Sequence, residues 1–174
     1  MPLEDFGDFI SIDDAVEMLE SDSSIQGRYF CITFDDGFRD NFEIAAPLLF
    51  KLNMPFSVFV ITDFVSQSRK EYVDEVMLKE FAEHPLVTIG SHTCSHAKLT
   101  NCNLTDMKNE ISDSKHYLED LVGKEINTFS YPHGFSEEVC FLLQKVCFFL
   151  QKSFFVILKH VPSFYWKSHE IIQT

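Results

Sequence analysis

The stretch YFCITFDDG, residues 29–37, decides which fold the sequence indicates. Its first six residues form a short apolar run of strand-forming side chains, which predicts a buried strand. Asp35, Asp36 and Gly37 end this run and predict the loop that leaves the strand. An Asp-Asp-Gly sequence is often only a turn, because Asp tolerates the bend and Gly supplies a positive φ. Adjacent carboxylates normally point in different directions, so the alternative is that one binds a metal while the other acts as a base.

Strands and helices are predicted to alternate along the rest of the chain. Apolar periodicity and turn residues predict strands over 56–61, 86–89, 128–130 and 154–158, and helices over 12–19, 41–52, 72–81, 104–122 and 136–150. This alternation predicts a parallel sheet, open or closed into a barrel. In such sheets the functional groups gather in the loops at the carboxyl ends of the strands, which is where the Asp-Asp pair lies.

Two histidines follow the strand predicted over 86–89. His92 and His96 lie four residues apart, a spacing that can direct both imidazoles at one ion. Taken alone, such a pair is more often two solvent-exposed loop residues. The Asp35-Asp36 pair at the end of another strand favours the metal site instead. Two histidines and one carboxylate leave a coordination position for water, which is typical of a catalytic zinc site.

Composition limits the classes of protein to consider. The length of 174 residues fits one domain but is short for a complete α/β barrel. A net charge of −13 argues against binding to nucleic acid or anionic lipid. Five cysteines without a CxxC pattern indicate a reducing compartment. Because the sequence shows no signal peptide and no run of the roughly 20 apolar residues that a membrane span needs, we expect a cytoplasmic protein.

Three segments resemble the first three motifs of the polysaccharide deacetylase family, also known as carbohydrate esterase family four or the NodB-like deacetylases. They are TFDDG at 33–37, GSHTCSH at 90–96 and FSYPHG at 129–134. The resemblance extends over about residues 29–134 and includes the helix and strand that follow the first motif. It implies a deformed (β/α) barrel, which we expect to be incomplete at its C-terminal end.

Pattern and resemblance together predict a domain layout. Residues 1–28 form an N-terminal acidic segment with one weak helix, and residues 29–174 form a single deacetylase-like catalytic domain. The tail over 141–174 resembles no part of the family, so it is a divergent closing strand, a truncation or a frameshifted end.

The resemblance further implies hydrolysis of the acetamide on N-acetylhexosamine residues of a poly- or oligosaccharide, with a divalent metal, most often zinc. By the family's pattern, Asp36, His92 and His96 bind the metal. Asp35 is then the base for the metal-bound water that attacks the acetamide. The backbone N–H of His133 would stabilise the oxyanion, or its imidazole would protonate the leaving amine.

The sequence departs from the family's pattern at two places. Ser130 stands where many members have an Arg that orients the catalytic carboxylate. His160 matches the letters of a later Leu-x-His motif but follows the third motif too soon, so the general acid is His133, His160 or neither. One alternative is therefore a truncated or degenerate domain that binds metal or glycan without turnover. Another is an O-deacetylase or a different metal hydrolase. Phe38 and Tyr131 are candidates for stacking on a sugar ring.

Overall fold

A computed structural model of the chain describes residues 7–21, 26–133, 155–157, 164–167 and 170–173. The strands are β1 (Asp8–Phe9), β2 (Tyr29–Phe30), β3 (Ile32–Phe34), β4 (Phe56–Val60), β5 (Val87–Ser91), β6 (Thr128–Ser130), β7 (Phe155–Ile157), β8 (Phe164–Lys167) and β9 (Glu170–Gln173). The helices are α1 (Ile12–Glu20), α2 (Ala46–Lys51), α3 (Thr62–Ser66), α4 (Glu75–Ala82) and α5 (Leu104–Val122). A π-helical turn (Asn41–Ala45) precedes α2, and a 3₁₀ turn (Leu99–Asn101) precedes α5.

The main sheet contains seven strands in the order β3-β4-β5-β6-β7-β8-β9. Strands β3 to β7 pair in parallel, β8 pairs antiparallel with β7, and β9 pairs antiparallel with β8. A separate two-stranded sheet pairs β1 with β2 in parallel. Because the parallel strands are neighbours both in space and in sequence, the sheet curls progressively in one direction, as in a barrel. The predicted deformed (β/α) barrel class is confirmed in the form of a curled parallel half-barrel.

Strand β4 is the centre of the hydrophobic core. All five of its residues are buried, which explains why its sequence is an apolar run without alternation. Helices α2, α4 and α5 contribute Leu49, Leu78 and Leu118 to the buried cluster around this strand. The helices therefore fix the position of β4 and, through its pairing with β3 and β5, the positions of the loops that leave those two strands.

Local capping signals set the helix boundaries. The prediction for α5 is confirmed, since the Asn103 side chain accepts a hydrogen bond from the Asp106 N–H and Gly123 ends the helix at a φ of 68°. The predicted start of α4 at residue 72 is wrong. Asp74 caps that helix by accepting from the Met77 N–H, so the helix begins at residue 75.

The helix predicted over 41–52 begins with the π-helical turn. Pro47 stands in the first turn of α2 and has no backbone N–H, which disturbs the α-helical hydrogen bonding one turn earlier. Helix α3 and strands β1, β8 and β9 were not predicted. The single buried strand predicted over 29–34 is wrong, since it is divided into β2 and β3, which lie in different sheets, and none of the residues of these two strands is fully buried. The helix predicted over 136–150 lies outside the described residues. Within the stretches that the structure describes, none of the helices is both long and apolar enough to cross a lipid bilayer.

Candidate active site

Three predicted metal ligands from two distant parts of the chain come together at one edge of the sheet. Asp36 lies in the loop after β3, and His92 and His96 lie in the loop after β5. The Asp36 Oδ1 atom is 3.3 Å from the Nε2 of His92 and 3.4 Å from the Nε2 of His96. The three ligand atoms all lie within 4.8 Å of one another. They converge because parallel strands direct their carboxyl ends to the same edge.

The ring of His92 is held in one orientation. It is 2% exposed, and its Nδ1 lies 2.8 Å from the carbonyl oxygen of Ser130. A carbonyl can only accept, so Nδ1 carries the hydrogen and Nε2 presents its lone pair towards Asp36. This arrangement, with one ring nitrogen bonded to a backbone carbonyl, is the usual support of a metal-bound histidine.

Burial keeps both imidazoles in the neutral form that a metal requires. Desolvation lowers the pKa of His92 below 6.5 more strongly than the nearby Asp35 carboxylate raises it. Desolvation likewise lowers the pKa of His96, against the opposing effect of Asp36. Two neutral imidazoles and one carboxylate fit a divalent metal of the zinc type. The same ligand set also accepts iron, cobalt or nickel, so it does not select the metal.

Asp35 lies beside these three ligands. Its Oδ2 is 3.9 Å from the Nε2 of His92, and its Oδ1 accepts a long hydrogen bond of 3.4 Å from the Ser130 hydroxyl. Ser130 therefore contacts His92 through its carbonyl and Asp35 through its hydroxyl. From the sequence, Ser130 is notable only because it replaces an Arg. Its position at the end of a strand was the one signal that could have pointed to this role.

Backbone strain is concentrated at the same place. Asp36, Thr93, His96 and His133 have φ angles of 70°, 69°, 63° and 63°, values that residues other than glycine rarely adopt. Each such conformation costs on the order of 1–3 kcal/mol and persists only where the surroundings enforce it. This clustering supports a functional role for the loops, beyond that of the turn that Asp-Asp-Gly alone would predict.

His133 lies at the rim of the site. Its ring centroid is 4.4 Å from that of His96, and its Nε2 lies 3.1 Å from the His96 carbonyl oxygen. Because the carbonyl accepts, Nε2 carries the hydrogen in this contact. His160, the other candidate acid, lies outside the described residues.

Of the two aromatic candidates for sugar stacking, only one is accessible. Tyr131 is 6% exposed, and burial raises its pKa to about 12. Phe38 is 39% exposed and stacks on Tyr72, with ring centroids 4.9 Å apart. Phe38 therefore remains a candidate for contact with a sugar ring, and Tyr131 instead forms part of the core.

Comparisons with known proteins show a match to one family model and to relatives of that family. The family model described as polysaccharide deacetylase matches residues 23–146. YxkH of Bacillus subtilis (strain 168), whose name places it among the polysaccharide deacetylases, is 33% identical over 122 residues. That alignment covers 70% of this chain and 43% of YxkH, so the chain spans less than half the length of this relative.

Solved structures of deacetylases share the fold. A Streptococcus pyogenes deacetylase, PplD in complex with acetate, superposes with a TM-score of 0.71 at 22% identity, covering 79% of this chain and 61% of PplD. IcaB from Ammonifex degensii superposes with a TM-score of 0.74 at 22% identity, covering 86% of this chain and 68% of IcaB. At these identities the similarity shows the fold alone.

Proposed function

The chain belongs to the polysaccharide deacetylase family, and on that premise we propose that it is a metal-dependent hydrolase. Its proposed reaction removes N-linked acetyl groups from N-acetylhexosamine residues of a poly- or oligosaccharide. The observation that carries the proposal is the convergence of Asp36, His92 and His96, with Asp35 beside them. A cytoplasmic location and a single catalytic domain over 29–174 remain predictions.

In this proposal Asp36, His92 and His96 hold the metal, and zinc is the proposed ion because two histidines and a carboxylate are a common set of ligands in catalytic zinc sites. When bound, the metal supplies a Lewis acid that polarises the acetamide carbonyl and lowers the pKa of a water towards about 7. The chain itself fixes the ligands. The Ser130 carbonyl determines which nitrogen of His92 faces the site.

Asp35 is the proposed base. It lies next to the ligands, and the Ser130 hydroxyl donates to one of its oxygens. The attacking water gives a proton to Asp35 as its oxygen bonds to the acetamide carbon. The carbon–nitrogen bond then breaks as its nitrogen takes up a proton, either from a general acid such as His133 or from the protonated Asp35. The products are acetate and a free amino sugar.

His133 has two proposed roles. Its backbone N–H can stabilise the oxyanion, a contribution worth about 3 to 4 kcal/mol for one such donor. Alternatively its imidazole can protonate the leaving amine. In the observed contact Nε2 already donates to the His96 carbonyl, so the acid role requires a proton on Nδ1.

The test is acetate release from N-acetylated chito-oligosaccharides and from an O-acetyl ester, with and without added zinc. We expect release from the acetamide substrate that depends on metal. Asp35→Asn should reduce turnover by about 10²- to 10⁴-fold while leaving bound metal in place. Asp40→Asn is the matched control, because Asp40 is exposed in the same segment.

Three results would contradict the proposal. Metal-loaded protein that releases no acetate would support the degenerate domain instead. Release from the ester alone would identify an O-deacetylase. Full turnover by Asp35→Asn would remove Asp35 from the mechanism.

A further inference from the structure

The loop over residues 92–96 provides two of the three proposed ligands, and helix α3 holds one side of it. The backbone N–H of Thr62 donates to the Thr93 carbonyl at 3.3 Å, and the N–H of Asp63 donates to the Cys94 carbonyl at 2.9 Å. These two bonds fix the carbonyl groups of the loop. The N–H groups of Cys94 and Ser95 donate to a different element.

That element is helix α5, through the carboxylate of Glu110. Its Oε2 accepts from the backbone N–H of Cys94 at 3.0 Å and from that of Ser95 at 2.9 Å. Its Oε1 accepts from the Ser95 hydroxyl at 2.5 Å. One side chain thus makes three hydrogen bonds to Cys94 and Ser95, which lie between His92 and His96. Hydrogen bonds to an ionised carboxylate are among the stronger ones in proteins.

The loop needs such support because its backbone is strained on both sides of these bonds. Thr93 and His96 both have positive φ angles, 69° and 63°. Within the loop, the Thr93 hydroxyl accepts from the His96 N–H at 3.0 Å. Without the Glu110 carboxylate, the Ser95 N–H loses its acceptor and the Cys94 N–H keeps only its 3.2 Å bond to the backbone carbonyl of Glu110, so the loop can relax towards ordinary φ values. Relaxation would turn the His96 ring away from Asp36.

We infer that Glu110 is a positioning residue of the metal site. Its three hydrogen bonds hold His92 and His96 where they can bind the same ion as Asp36. The inference rests on the proposed function only in requiring that the site binds a divalent metal. It assigns Glu110 no contact with metal or substrate. Its effect should therefore appear in metal affinity and ligand geometry.

Two substitutions separate hydrogen bonding from charge. Glu110→Ala removes all three bonds. Glu110→Gln keeps a carbonyl oxygen that can accept from Cys94 and Ser95, and its amide can donate to the Ser95 hydroxyl. If positioning depends on these bonds, Gln should rescue most of what Ala loses. If negative charge near the metal is what matters, both variants should lose affinity alike.

The experiment measures zinc dissociation constants by competition with a chromophoric chelator, and the visible absorption spectrum of the Co²⁺-loaded proteins. We expect Glu110→Ala to weaken zinc binding by about 10- to 100-fold and to alter the Co²⁺ spectrum. Glu110→Gln should lie closer to the wild type than to the Ala variant in both measurements. Asp120→Asn, an exposed position on the same helix, is the charge-matched control and should change neither.

An unchanged zinc affinity for Glu110→Ala, or an equal loss in Glu110→Gln, would overturn the inference. If Glu110→Ala fails to fold, Ser95→Ala replaces it, since that variant removes only the hydroxyl bond and should weaken zinc binding to a smaller extent. These outcomes are independent of turnover. Zinc binding without acetate release would contradict the proposed function, but it would not contradict the positioning role of Glu110.

Discussion

At the residue scale, Ser130 joins two parts of the site. Its carbonyl oxygen bonds the Nδ1 of His92, and its hydroxyl donates to Asp35. A substitution can separate these contacts, because changing the side chain leaves the carbonyl in place. The two contacts serve different proposed steps, metal binding by His92 and proton transfer by Asp35.

We expect Ser130→Ala to lower kcat and leave zinc affinity unchanged. A hydrogen bond of this kind contributes about 0.5–1.5 kcal/mol, which corresponds to a roughly two- to tenfold change in rate. Because the lost hydrogen bond is long, we expect an effect at the lower end of that range. Steady-state kinetics with metal analysis of the same sample check this. A loss of metal in parallel with the loss of activity would contradict it.

His133→Ala distinguishes the two candidate roles of that residue. If its imidazole is the general acid, kcat should fall by about 10²- to 10⁴-fold while metal content stays the same. If only its backbone N–H acts, kcat should change little. Equal losses of activity and metal would exclude the acid role and point to the contact between the His133 ring and the His96 carbonyl.

The lowered pKa values of His92 and His96 predict a pH dependence of the metal-free protein. Both folded-state pKa values lie below 6.5, so between those values and 6.5 the unfolded chain binds more protons. The free energy of unfolding should therefore decrease as the pH falls below 6.5, and this contribution should be flat above it. Urea denaturation of metal-free wild type and of His92→Gln checks the sign. An identical pH dependence in both would contradict it.

At the element scale, strand β5 requires a glycine next to its functional loop. A Cβ atom on Gly90 would lie 2.5 Å from the Phe59 ring and 2.6 Å from the Thr128 hydroxyl. Gly90→Ala should therefore destabilise the fold by about 1–3 kcal/mol, measured by urea denaturation. Gly123→Asn is the control, since nothing lies within 4 Å of that Cβ position and Asn tolerates its positive φ. Equal stability of Gly90→Ala and wild type would contradict the packing account.

Elements with local signals were predictable from the sequence, and elements that depend on distant contacts were not. Helix α5 has a capping residue, an apolar stripe and a terminal glycine, so its bounds are correct. Helix α3 has five residues and no side-chain cap, which is too little signal to detect. Strand β8 pairs with both β7 and β9. That pairing corresponds to no strand-and-turn pattern in the sequence.

At the scale of the whole molecule, the sheet accounts for what could be predicted about the site. Parallel strands bring their carboxyl ends together, so the grouping of Asp36 with His92 and His96 followed from the predicted topology. The contacts that support the site could not be predicted from the topology. Asp35 and Ser130 are 95 residues apart, and neither segment contains a sequence pattern that predicts their contact. Glu110 reaches the loop from a helix whose orientation is set by the core.

The central claim is that Asp36, His92 and His96 form one metal site, and metal analysis tests it most directly. Purified wild type, Asp36→Ala and His92→Ala are equilibrated with zinc, freed of excess ion and analysed for bound metal. His84→Ala is the matched control, because His84 stacks on Phe50, which packs against the core cluster, and lies outside the site. The account predicts about one zinc per chain in wild type and control, and a large loss in both other variants. Unchanged zinc content in Asp36→Ala and His92→Ala would contradict it.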